Sequence, residues 1–176
     1  MELADIRLML ARTPQVLTTL LAGLPAQWLH RDDGPGTWSA YDVVGHLLHA
    51  EATNWPVRVR TILRHGTRQA FAAFDREAML GWRREPVEAL LDRLRDARSA
   101  SLEELTALGI TDGDLSRRGA HPQMGEVTLG QVLAAWLAHD LTHLGQVGEV
   151  LARRHREDVG PYRAFMPALD RVAEAE

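Results

Sequence analysis

The stretch HDLTHLGQ, residues 139–146, sets two histidines four positions apart in an otherwise apolar run. On a helix, positions i and i+4 are neighbours on one face, so His139 and His143 can both reach a single metal ion. At about 100° per residue they line up with Trp136, Val147 and Val150, beside the row of Leu133, Leu137 and Leu144. Two readings stand side by side: a metal-binding pair, or two hydrogen-bonded imidazoles at the margin of a core. A third ligand would decide between them. The stretch DVVGHLLHAE offers His46 and His49, which differ by three positions and diverge by about 60° around a helix axis. His46 shares a face with Val43, Ala50 and Val57 and is the inward candidate. His49 points further from the stripe of Val44, Leu48, Trp55 and Ile62 and is the surface one.

Two carboxylates accompany these histidines. Glu51 falls near the middle of the same apolar stripe, where an acid is costly unless paired or hydrogen-bonded. It reads first as a buried acid fixing its helix against another segment, and second as a group holding a ligand histidine. Asp140 follows His139 but projects about 100° away from it around the helix. Both are candidates for a catalytic base. HDLTH also invites comparison with H-E-x-x-H, in which the Glu is the general base of a zinc protease. Here the acid is the shorter Asp and no downstream ligand follows, so a protease of that kind is not expected.

The composition removes other chemistries. With no cysteine among 176 residues, disulfides, thiolate nucleophiles and zinc–sulfur sites are excluded, so a metal site must use His, Asp or Glu. The twenty basic residues are all Arg, which excludes lysine nucleophiles and Schiff bases. A formal charge of −4 and scattered arginines give no nucleic-acid groove. No window holds about 18 uninterrupted apolar residues, and the start lacks a secretory pattern. The expectation is a cytoplasmic protein that binds neither membrane nor nucleic acid, folded as one domain over residues 1–176.

These side chains need helices to position them, and the pattern is helical throughout. Thr13-Pro14 reads as a helix start, with a shorter helix over residues 3–12 before it and a stop at Gly23 and Pro25. Ser39 and Asp42 resemble a capping box opening a helix to about Arg64. A looser region from His65 to Arg84 holds a short helix near residues 75–80. Pro86 opens a third long helix to about Leu108, with Val87, Leu90, Leu91, Leu94 and Leu102 apolar. Residues 109–127 read as a loop, and Thr128 with Gln131 opens a last helix to about Arg154. The tail, with Pro161 and Pro167, allows only a short helix. No alternating strand pattern is present. Four long amphipathic segments predict an all-α fold, a four-helix bundle whose long connections need not give simple up-and-down order. Trp28, Trp55 and Trp82 read first as core residues; any that are exposed would supply a homodimer patch.

Taken together, WSAYDVVGHLLHAE, HPQMGEVTLGQVL and HDLTHLGQ resemble the DinB-like superfamily over roughly residues 14–151. The family pattern has a Trp-Ser or Trp-Thr helix entry, a histidine in a Gly-His-Leu-like context, and a late histidine pair ending in His-x-Gly-Gln. Trp38-Ser39, His46, His139 and His143-Leu144-Gly145-Gln146 occupy those places. The resemblance implies that His46, His139 and His143 form a facial site for a divalent metal such as Zn, Ni or Fe, with open positions for water or substrate. Some relatives are S-transferases using mycothiol or bacillithiol, and one branch isomerises maleylpyruvate with a thiol cofactor. In the mycothiol branch Glu replaces one histidine of the late pair. Here both are His, which leans towards bacillithiol-type or uncharacterised members. The expected reaction is therefore thiol transfer to a small-molecule substrate, the metal holding a thiol cosubstrate as thiolate. The alternatives are a metal-dependent hydrolase, or a non-catalytic stress-response bundle in which the metal braces the fold around a small ligand.

Overall fold

Side-chain caps set the starts of the two helices that carry the histidines. Ser39 Oγ accepts from the Asp42 N–H at 3.2 Å while Asp42 Oδ2 accepts from the Ser39 N–H at 3.1 Å. This reciprocal pair satisfies donors that the first turn of a helix leaves orphaned, and it opens helix α4, Ala40–Thr53. Thr128 and Gln131 do the same at the start of α7, Leu129–Arg153. Both caps stand where the sequence places them.

The computed structural model describes residues 2–75, 78–79 and 85–171. Before α4 come α1 (Leu3–Leu10), α2 (Thr13–Leu21) and the single turn α3 (Ala26–Leu29). After it come α5 (Trp55–His65), α6 (Val87–Ala107) and then α7. The helix expected to run unbroken from residue 39 to about residue 64 is in fact two. Asn54 is distorted to φ −114° and ψ −77°, and Pro56 at the start of α5 has no N–H to give the preceding turn. The expected short helix near residues 75–80 falls partly outside the described residues, as does Trp82. In the tail, 3-10 turns at Gly160–Phe165 and Pro167–Leu169 replace the short helix.

One expectation fails outright: the loop over residues 109–127 contains strands. β1 (Arg118–His121) pairs antiparallel with β2 (Gly125–Thr128), Arg118 opposite Thr128. RGAH and GEVT are too short and too polar to show alternation, so no pattern announces them. The hairpin lies hard against α5. A Cβ added at Gly119 would stand 2.5 Å from Ile62 Cγ1 and 3.0 Å from Phe71 Cζ.

Four helical segments make the bundle: α1 with α2, α4 with α5, α6, and α7. The first packs on α6 and α7, and the second also packs on α6 and α7. The first and second segments therefore sit diagonally, as do the third and fourth, while the second and third are neighbours; the long connections after α2 and α6 make this order possible. The core has two halves. One gathers Leu17, Tyr41, Leu47, Leu90, Leu94 and Val147; the other gathers Ile6, Leu10, Trp55, Ile62, Leu133 and Trp136. Trp55 is thus a core residue, and half-buried Trp28 lies beneath Arg154, whose guanidinium stands 4.3 Å from its ring. No described helix is long and apolar enough to cross a membrane.

Candidate metal centre

His46 projects from α4 and His139 and His143 from α7, and the bundle brings the three together. Each offers a ring nitrogen, all within 4.8 Å of one another. His46 and His143 are each 4% exposed, whereas the His139 side chain keeps 18% of its surface. His49, half-buried, is not part of the cluster; its ring stacks on Phe74 at 5.1 Å.

The partners of these rings decide which nitrogens carry lone pairs. His143 Nδ1 lies 2.7 Å from Gln146 Oε1, an acceptor, so Nδ1 holds the proton and Nε2 is left as a ligand atom. His139 Nδ1 faces Asp140 Oδ1 at 3.8 Å, longer than a hydrogen bond but close enough for the carboxylate to favour a proton there. Its Nε2 meets His46 Nε2 at 2.9 Å. Imidazole ligands sit about 2.0–2.1 Å from a zinc ion, so two on one ion are roughly 3 Å or a little more apart. Three converging imidazole nitrogens suit Zn, Ni or Fe, and the donor set fits a divalent ion.

Aromatic rings wall the cluster. Trp38 stands 4.5 Å from His46, Phe74 meets His46 edge-on at 5.6 Å, and Trp55 meets His139 edge-on at 5.3 Å. These ring contacts hold the imidazoles in place, with His139 the one left partly exposed.

Behind the histidines lies a second polar group. Arg98, on α6, donates from Nη1 to Asp140 Oδ2 at 2.7 Å and from Nε to Glu51 Oε2 at 2.9 Å. Nη1 also reaches the Leu10 carbonyl at the end of α1, at 2.6 Å. Burial pulls the Arg98 guanidinium towards the neutral form, but Asp140 and Glu51 outweigh it and its pKa is raised. For Asp140 burial pushes the carboxyl up, while His139 and Arg98 together bring it below the ordinary carboxylate range. Both acids put forward from the sequence are therefore bound by one guanidinium that ties all four bundle segments together. Glu51 fixes α4 against α6, the first of its two readings.

Sequence reasoning did not single out Arg98, Phe74 or the pairing of Gln146 with His143. Arg98 left a signal: it continues the buried row Leu91, Leu94, Ser101, Leu105 on α6, a position where a charge must find partners. Among the other histidines, His121 stands in β1, where Nδ1 accepts the Gln123 and Met124 N–H groups and closes the hairpin turn.

Against known proteins, the DinB superfamily pattern matches residues 9–147. Among solved structures, YfiT from Bacillus subtilis is similar over 86% of this chain and 86% of its own, at 20% identity and a TM-score of 0.72. It is described as a probable metal-dependent hydrolase with an unusual four-helix bundle topology. No curated protein matches the chain.

Proposed function

Since the chain belongs to the DinB superfamily, we propose that His46, His139 and His143 hold one divalent metal ion and that the protein is an enzyme using it to activate a small nucleophile. The observation that carries this reading is the convergence of the three imidazoles within 4.8 Å, two of them with their outer nitrogens set against acceptors. A bound ion supplies Lewis acidity, lowering the pKa of a thiol or of water. The chain's own residues do the rest. Gln146 and Asp140 orient the imidazoles of His143 and His139, Arg98 keeps Asp140 ionised and in place, and Trp38, Trp55 and Phe74 pack around the rings.

We take the nucleophile to be a thiol cosubstrate of the bacillithiol type, delivered to an electrophile. Two features support it. The chain has no cysteine of its own, and Asp140 and Glu51 are both engaged by Arg98, which removes them as mobile general bases for water. Asp140 and Glu51 are then positioning groups. Hydrolysis is the second reading, favoured by the likeness to YfiT.

The test is metal content per chain by elemental mass spectrometry on tag-free protein, for the wild type, His46→Ala and His143→Ala. About one ion per chain in the wild type, lost in both variants, is the expected result. A wild type that arrives metal-free and refuses added Zn, Ni or Fe sinks the reading.

A further inference from the structure

Beside the cluster lies a cation without a counter-ion among the described residues. Arg58, on α5, is half-buried and makes no hydrogen bond or ion pair with any described residue; its Nε is buried with no acceptor. Its guanidinium carbon stands 5.6 Å from the Trp55 ring and 5.3 Å from the Phe71 ring. Stacking of this kind satisfies the faces of a guanidinium. The five N–H donors lie in its plane and point past the rings, so the aromatic contacts hold the group still without giving its donors an acceptor.

Its position makes this more than a packing detail. Trp55 also meets His139, the most exposed of the three clustered histidines, at 5.3 Å. One indole therefore stands between the guanidinium and the candidate metal centre. On the other side, His121 meets the same Phe71 ring edge-on at 6.0 Å. With its Nδ1 accepting two backbone N–H groups, the neutral His121 ring carries its proton on Nε2, a further donor. Gly119 lets the hairpin that bears His121 approach Ile62 and Phe71 this closely.

We infer that Arg58 is the anchor for a carboxylate on the small-molecule substrate, holding that end in its planar fork while the reacting end lies at the three histidines. This rests on the enzyme reading above and names its substrate class. A single fixed cation with a neutral imidazole nearby matches a monoanion better than a phosphate, which carries more charge than one guanidinium balances. Burial holds the Arg58 guanidinium below its ordinary pKa, with the Arg58 charge in turn adding to burial in keeping His121 neutral. A bound carboxylate would relieve both strains.

The test uses ω-mercaptocarboxylates of increasing length, each against the ω-mercaptoalcohol of the same length. Binding to Co(II)-loaded protein is read from thiolate-to-cobalt absorption. At the matching length the wild type should prefer the acid by about tenfold or more, the worth of a charge-assisted hydrogen bond. Arg58→Gln should abolish that preference, while Arg58→Lys, which keeps charge but not the fork, should retain part of it. Equal binding of acid and alcohol to the wild type, or a preference that survives in Arg58→Gln, overturns the inference. Should the wild type take up no metal, the enzyme reading fails by itself, and the metal-free protein then decides. The same acids should move the Trp55 indole N–H resonance saturably in the wild type and not in Arg58→Gln. No movement in the wild type overturns the anchor.

Discussion

Two buried polar groups lie next to each other in this bundle, and they are built on opposite principles. Around Arg98 every strong charge is answered: one guanidinium serves Glu51, Asp140 and the Leu10 carbonyl. Around His46, His139 and His143 three imidazoles converge, each offering a ring nitrogen within 4.8 Å of the others. The first group is closed and holds helices together. The second is the open group, whose donors suit the cation proposed above. Their junction is Asp140, which takes the Arg98 charge with one oxygen and faces His139 with the other. A buried ion network can thus serve a neighbouring cluster by fixing its side chains without entering it.

The largest effect should come from the closed group. Arg98→Met strands two buried carboxylates and should cost about 3–5 kcal/mol in urea unfolding. Adding Glu51→Gln and Asp140→Asn should recover much of that loss. A triple variant as unstable as the single one would mean that shape, not charge, is what Arg98 contributes. Next comes the open group: Gln146→Ala leaves the fold intact but frees the His143 ring, and metal affinity should fall about ten- to hundredfold in competition with a chelating dye. If stability falls and affinity does not, the contrast between the two groups is wrong. Smallest is Gly145→Ala, between His143 and Gln146. Nothing lies within 4 Å of an added Cβ there, so the helix should gain about 0.5–1 kcal/mol with metal binding unchanged.

The open group was far more legible than the closed one. Histidines four apart declare a shared face by spacing alone, and His46 declared itself by lying on its helix's inward side. Both capping boxes marked their helix starts within a residue, because a cap is a local bargain among four neighbouring residues. Arg98 is a different case. Its partners stand 47 and 42 positions away, and no local rule joins them. Arg58 had no signal at all, since what sets it apart is that no described residue accepts from its donors. The hairpin at 118–128 and the break at Asn54 were missed because each depends on packing against α5 or on one backbone turn, neither of which alters the hydrophobic period.

The diagonal placement of the first two segments also governs how the chain must fold. Residues 3–65 emerge from the ribosome before α6 or α7, the helices that cover their apolar faces, has been made. A bundle of neighbouring hairpins could dock as it is synthesised; this one has to wait. Its contacts are distant in sequence, so it should fold more slowly than helical content alone suggests, with the N-terminal half the more exposed to aggregation meanwhile. His46 spends that interval without its companions, and the three histidines meet only when the last long helix arrives.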